Sequence, residues 1–420
     1  MTSSRLPMAE LGAALAASLG SMVVGFTTAW SSPAIASLQE EATRCQGSVV
    51  LPFTRISITD TEASWIGSLM PLAAILGGVL GGLSLHRLGR KVTALLASTQ
   101  VTILSTCLPF CLAGLVVSQA TSVTSIYLGR ALAGLAIGAM SLSLPVYLAE
   151  CLSPSVRGRL GLLPTTLGNA GMLLCLLLGA WLDWSQVSPL PHLPPQLAVV
   201  GAILPLPFMV AMLPVAESPT FLLVTDKPDQ AIKALKWLRG DGLETEDEFV
   251  TMKQVVEDRK EEEEEEVAIT SSTTRPLAIC MVLMLFQQLS GINAVMFYSV
   301  SIFIDSGSPS PHASTITLGV VNIAATIVSS MLVDRAGRKK LLYISSLGMA
   351  ASLGVLGLHY HAAATSPTTP LVALMVYIVS FSLGFGPVPW LLMGELLPAR
   401  VRGPAAAVTT GSVATNPACR

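Results

Sequence analysis

Ten stretches of this chain are apolar over long, rarely interrupted lengths: 9–30, 64–84, 92–117, 124–148, 160–182, 196–216, 277–303, 313–333, 341–360 and 371–397. About 20 apolar residues in a helix reach across a bilayer core. So many such stretches have no counterpart among the buried helices of water-soluble folds. The pattern predicts an all-α membrane protein with ten spans. Between spans 6 and 7 the pattern changes character. Residues 226–239 predict an amphipathic helix, with Asp226 as its cap, Pro228 in its first turn, and Ile232, Leu235 and Leu238 on one face. Residues 245–260 predict a second short helix, and the run Glu261–Glu266 reads as a solvated linker. The implied organisation is a six-span half over 1–216, a cytoplasmic helical linker over 217–275, spans 7–10 over 276–397 and a short cytoplasmic tail over 398–420.

Charge sets the orientation. Arg87, Arg90, Lys91, Arg157, Arg159, Arg335, Arg338, Lys339, Lys340, Arg400 and Arg402 all fall in alternate loops, and the opposite loops hold only Arg44 and Arg55. The positive-inside rule then places both termini and the 217–275 segment in the cytoplasm. Only 12% of residues are charged, against about 25% in soluble domains. The net charge of -2, with no basic patch carrying aromatics, excludes a nucleic-acid partner. The seven cysteines show neither a disulfide framework nor metal-ligand spacing. No nucleophile–base set, metal cluster or cofactor loop is present, so an enzyme and a bound cofactor are not expected.

A repeat runs through the loops. Arg87-Leu88-Gly89-Arg90-Lys91 follows span 2, and Asp334-Arg335-Ala336-Gly337-Arg338-Lys339 follows span 8. Glu150 with Val156-Arg157-Gly158 follows span 4, and Glu395 with Val401-Arg402-Gly403 follows span 10. Gly89 and Gly337 are 248 positions apart; Glu150 and Glu395, like Arg157 and Arg402, are 245 apart. A near-constant offset across two motif types marks the halves as structural copies, the plan of parallel-repeat transporters. Glycine lets each loop reverse tightly. The Arg and Lys side chains at these helix ends are placed to meet Glu150, Glu395, Asp334 and helix C-termini. Pairs of this kind lock one state and break in the other.

With these motifs in view, the chain resembles the sugar-porter branch of the major facilitator superfamily over nearly its whole length. The resemblance rests on the four loops, on Glu217-Ser218-Pro219, on Gln287-Gln288-Leu289-Ser290-Gly291-Ile292-Asn293-Ala294 in span 7, and on Gly384-Phe385-Gly386-Pro387-Val388-Pro389-Trp390 in span 10. Gly161–Thr166, Asn169 and Phe381–Trp390 look most like the facilitated trehalose transporters of arthropods, with facilitative hexose transporters next. The resemblance implies the major facilitator fold of two parallel six-helix halves. Here the last two spans are expected to be missing, since the residues after Arg402-Gly403 are too short and polar to cross a bilayer. From that departure, weak transport or a non-transporting sensor or regulator is an expectation to set beside a working carrier.

A sugar needs neutral amides that donate and accept, together with a flat apolar surface. By resemblance Gln287, Gln288, Asn293, Asn322 and Trp390 line the sugar pocket, and Thr166 stands where the hexose carriers place a further sugar-binding Gln. Gln287 and Asn293 are six positions apart and share no helical stripe, so a break near Gly291 is expected to bring the amides together. Phe297 and Tyr298 would form an outer gate, while Pro387 and Pro389 would kink span 10. Arg90, Glu150, Arg157, Glu217, Asp334, Arg335, Arg338, Glu395 and Arg402 would form the cytoplasmic ion-pair network. His86 replaces the usual Asp of the first loop motif, and Thr220 replaces an expected Arg. Proton-coupled members carry an Asp in span 1, where this chain has Gly25-Phe26-Thr27-Thr28 and no carboxylate between Leu11 and Pro33. Proton-independent uniport of trehalose, or alternatively of a hexose, at the plasma membrane is the expectation that follows. The expected partners are the sugar and the lipid bilayer.

Overall fold

The computed structural model describes residues 8–45, 58–87, 103–153, 163–181, 196–264, 271–362 and 368–396, with positions 56, 156, 160 and 161. Within them the chain is all-α, and no strand occurs among the described residues. Among the described residues, six helices are long and apolar enough to cross a membrane, and three shorter apolar helices accompany them. The first six spans contain α1 (Met8–Ala29), its extension α2 (Ser31–Cys45), α3 (Asp60–Arg87), α4 (Cys107–Ser118), α5 (Val123–Cys151), α6 (Leu163–Trp181), α7 (Gln196–Ile203) and α8 (Pro205–Met212).

Hydroxyls within these helices are satisfied by the helix's own backbone. Ser18, Thr27 and Thr28 in α1 donate to the carbonyls four residues back at 2.6, 2.8 and 2.8 Å. That geometry lets hydroxyls sit in an apolar helix without orphaned donors. α3 starts with a capping box: Thr59 N–H donates to Glu62 Oε2 at 2.8 Å, and Glu62 N–H donates to Thr59 Oγ1 at 3.3 Å. α3 packs along α5, and α1 along α6. Both pairs approach closely through glycine. A Cβ at Gly134 or Gly138 would collide with the α3 backbone at Met70 or Ala74, and one at Gly171 with Met22 of α1. Small residues at such crossings are how apolar helices gain contact when lipid is as apolar as their own side chains.

The segment between spans 6 and 7 forms α9 (Pro219–Val224), α10 (Pro228–Arg239) and α11 (Leu243–Glu264). Ser218 caps α9 by accepting from Phe221 N–H at 3.2 Å. The amphipathic α10 buries Ala231, Ala234, Leu235 and Leu238. Two expectations change here. The N-cap of α10 is Lys227, which makes no side-chain cap bond, because Asp226 adopts the left-handed region at φ 57° and turns the chain one residue earlier. The second helix runs through Glu264, so the start of the acidic run is helical and not linker.

The later spans are more interrupted. α12 (Ser271–Leu289), α13 (Ile292–Phe297) and α14 (Ser299–Asp305) make up span 7. α15 (Pro311–Ala336) and α16 (Arg338–His361) follow, and α17 (Thr368–Leu383) and α18 (Val388–Leu396) make up span 10. α6 of the early spans faces α15 of the later ones, and α2 meets α14.

Candidate functional site

Span 7 breaks at Gly291, where the sequence placed the interruption. Gly291 takes φ 84°, a conformation that only glycine adopts without strain. The turn at this point shifts the helical register. It brings Asn293 to Gln288, whose Oε1 accepts from Asn293 Nδ2 at 2.7 Å. The two amides thus meet across the break, and both stay half-buried.

Gln287 points elsewhere and ties span 7 to the break in span 10. Its Nε2 donates to Phe385 O at 2.6 Å and to Gly386 O at 3.0 Å. These carbonyls lie in the Gly384–Pro387 turn between α17 and α18, where helical hydrogen bonding lapses. Ser345 of α16 accepts from Phe385 N–H at 3.1 Å, and Tyr377 Oη donates to Ser290 O at 2.8 Å. These backbone groups at the breaks are met by side chains from neighbouring helices, as an apolar environment demands. One atom is not: Gln287 Oε1 is buried with no hydrogen-bond partner. An unmet buried acceptor costs about 1–3 kcal/mol, and a ligand hydroxyl is the kind of donor that would satisfy it.

Asn322 in α15 is buried, and its Oδ1 accepts from Ser382 of α17 at 3.1 Å. One turn on, Thr326 accepts from Asn169 Nδ2 of α6 at 2.8 Å, joining early and late spans. Thr166 lies one turn before Asn169 and is half-buried. A polar path therefore runs from Asn169 through Thr326, Asn322 and Ser382 towards the span 10 turn and Gln287. Ser345, Ser382, Thr326 and Tyr377 were missed in the sequence. Their signal was only a hydroxyl in an apolar run, which occurs at many other positions. The backbone of Trp390 lies in α18, but its side chain is outside the described residues. Pro387 immediately precedes α18 and Pro389 falls in its first turn, where a missing N–H leaves no helical bond broken.

At the other end of span 7, Phe297 is buried and Tyr298 closes onto α3. Tyr298 Oη donates to Ser64 O at 3.5 Å and rests against Gly67. Of the loop network, Arg90, Arg157 and Arg402 lie outside the described residues, as do the side chains of Asp334, Arg335 and Glu395. Glu150 Oε2 accepts from Ser218 Oγ at 2.5 Å, Glu217 Oε1 accepts from Ser218 N–H at 2.9 Å, and Arg338 donates to Val333 O at 3.3 Å.

Two buried charges escaped the sequence reading. Arg239, at the end of α10, donates to Glu10 Oε1 at 2.5 Å, to Cys151 O at 2.9 Å and to both oxygens of Glu248 at 3.1 and 3.2 Å. Glu10, whose side chain is 0% exposed, also accepts from Ser153 N–H and Oγ. This hub ties α10 and α11 to the ends of α1 and α5. Arg130 in α5 is buried and donates to Thr27 O at 2.9 Å, Ile66 O at 3.3 Å and Ser31 Oγ at 2.5 Å, with the Trp30 ring 5.4 Å away. Its partners among the described residues are neutral. A lone basic residue inside the apolar run 123–151 was the available clue.

A family model described as "Sugar (and other) transporter" matches residues 13–416. The facilitated trehalose transporter Tret1 of Aedes aegypti is 43% identical over 408 residues, covering 95% of this chain and 47% of that protein. Tret1 of Culex quinquefasciatus is 41% identical over 417 residues, covering 97% of this chain and 75% of that protein. The chain thus spans about half the length of the first relative and three quarters of the second. Among solved structures, the proton:xylose symporter XylE bound to 6-bromo-6-deoxy-D-glucose superposes with a TM-score of 0.76 at 23% identity, covering 98% of this chain and 87% of that one. Inward-open XylE from E. coli superposes with a TM-score of 0.73 at 24% identity, covering 96% and 87%. At that identity the likeness establishes the fold, which is that of the major facilitator superfamily.

Proposed function

The chain belongs to the sugar transporter family, and from that premise we propose that it carries trehalose across the plasma membrane by facilitated, proton-independent diffusion. The observation that bears most weight is the broken span 7. Three amides surround one interruption, and one of them holds a buried acceptor open. Gln287, Gln288, Asn293, Asn322, Trp390 and Thr166 are the residues assigned to the sugar. Thr166 is short, which leaves space for a second ring. The 41–43% identity to proteins named as trehalose transporters favours that sugar over a hexose.

The absence of coupling is argued from Thr27. Its backbone carbonyl faces Arg130, and no carboxylate lies in α1 beyond Glu10. Glu10 is held at the far end of that helix by Arg239. A buried cation among neutral partners offers no titratable carboxylate at mid-span to carry a proton.

Transport follows alternating access. Phe297 and Tyr298 close the outer side, span 10 bends at Pro387 and Pro389, and the loop pairs among Arg90, Glu150, Arg157, Glu217, Asp334, Arg335, Arg338, Glu395 and Arg402 make and break on the cytoplasmic side. The topology we assign has ten spans in this chain, six in 1–216 and four in 276–397. The 217–275 segment and both termini are cytoplasmic.

The test is uptake of labelled trehalose and labelled glucose into vesicles carrying this chain, with and without a proton gradient. Trehalose uptake that ignores the gradient and is lost in Gln287→Ala is the expected result. Gradient-driven uptake overturns the coupling assignment, and preferential glucose uptake overturns the substrate assignment.

A further inference from the structure

α14, the outer fragment of span 7, begins without a cap of its own. Its N-cap residue, Tyr298, makes no side-chain cap bond. The first N–H groups of a helix have no internal partners and need an outside acceptor when buried. Val300, second in α14 and 1% exposed, finds one on a different span: its N–H donates to Ser32 Oγ at 3.2 Å. Ser32 also lies 2.8 Å from Ser299 Oγ, and both serines are buried. Either serine can donate across that contact, with Met296 O at 3.4 Å as the other acceptor open to Ser299 Oγ. In both cases Ser32 Oγ keeps a lone pair to accept from Val300 N–H. The Val300–Ser32 and Ser32–Ser299 bonds both require α2 to lie against α14.

A steric fit stands beside the hydrogen bonds. Tyr298 Oη occupies the space where a side chain on Gly67 would begin, and a Cβ there would collide with it. Gln39, seven residues beyond Ser32 and on the same face of α2, accepts from Ser301 Oγ at 3.5 Å.

We propose that Ser32 is a positioning residue for transport. It caps the outer fragment of span 7 from span 1, so that the fragment's first turn is satisfied only while the outer side is closed, and Gly67 provides the seat that lets Tyr298 complete the closure. This rests on the alternating-access reading above. Opening the outer side separates α2 from α14 and exposes the Val300 N–H, so the hydroxyl biases the carrier towards its outward-closed state. Neither Ser32 nor Gly67 is among the residues assigned to the sugar.

Ile35 lies on the same face of α2, three residues after Ser32, and is 1% exposed. The experiment uses the full chain carrying Ile35→Cys in membranes, labelled from outside with an impermeant maleimide and compared with the chain that retains Ile35. Gly67→Ala, which wedges Tyr298 out of its seat, raises labelling and calibrates the reporter. Ser32→Ala raises it about tenfold, the size expected for one buried N–H left unmet, and Ser32→Thr, which keeps the hydroxyl, restores the parent rate. Labelling of Ser32→Ala within twofold of the parent overturns the proposal, whether or not Gly67→Ala responds. An equal rise in Ser32→Thr overturns it as well, because the hydroxyl is then not the cause. The labelling is read without sugar, so a failed trehalose assay leaves this result intact and counts only against the substrate assignment.

Discussion

The α3–α5 pair and the broken spans 7 and 10 cross the same apolar surroundings and solve the problem in opposite ways. α3 and α5 run as continuous helices through Pro71 and Pro145 and meet mainly through glycines that leave no room for a Cβ, with one hydrogen bond from Arg130 to Ile66 O beside them. Spans 7 and 10 surrender helical bonds at Gly291 and at Gly384–Pro387, and side chains from neighbouring helices replace them. A contact made by shape has one geometry. A contact made by side-chain hydrogen bonds to free backbone groups can be exchanged for another donor or acceptor, including a ligand hydroxyl. The difference teaches where this molecule is built to hold and where it is built to yield.

The largest expected effect tests the charged anchor of the holding region. Arg239→Ala leaves Glu10 buried without its cation. Removing one partner of a buried pair costs about 3–5 kcal/mol, so a loss of several degrees in Tm is expected in thermal unfolding of the purified protein. An unchanged Tm would show that the hub is ornamental. Next come the two kinds of glycine. Gly138→Ala forces a side chain into the α3 backbone, and overpacking of this kind costs about 1–3 kcal/mol. Gly291→Ala meets no neighbouring atom within 4 Å. It is penalised only for its left-handed backbone, by about 1–2 kcal/mol. Gly138→Ala is therefore expected to lower Tm more, whereas Gly291→Ala lowers sugar uptake more, because it perturbs the Gln288–Asn293 contact. The reverse ranking would dissolve the contrast.

Ser345→Ala probes the yielding region alone. It strips the acceptor from Phe385 N–H at a cost of about 1–3 kcal/mol if no water replaces it. A changed uptake rate with a Tm loss no larger than that of Gly138→Ala is the expected outcome, checked by transport and melting on the same preparation. The smallest effect belongs to Glu62. The Thr59 N–H and hydroxyl hold its carboxyl below the usual value of 4.5. A depressed carboxyl contributes stability that is present above the unfolded-state pKa and is lost as pH falls through the folded-state value. A slight extra acid sensitivity below about pH 4.5 should therefore disappear in Glu62→Gln, measured by thermal unfolding at pH 6 and pH 3.5.

Much of the architecture was legible because its causes are local. Helix type and length follow from the apolar run, and the interruption at Gly291 from a glycine between amides that no continuous helix could bring together. The amphipathic helix before Arg239 was readable from its period, although its cap was not. Asp226 looked like an N-cap by residue type, yet its backbone turned left-handed, and Lys227 took the place.

The pairings between helices were not legible. Nothing in the order of residues says that Arg130 meets the Thr27 carbonyl, that Glu10 meets an arginine 229 positions away, or that Gln287 spends its amide hydrogens on span 10 and leaves its oxygen unmet. The sequence by itself determined the all-α membrane class and the break at Gly291, since periodicity and composition act over a few turns of one helix. The tertiary structure alone decided which buried polar group answers which, because hydrogen bonds of about 3 Å depend on how whole helices are placed against one another.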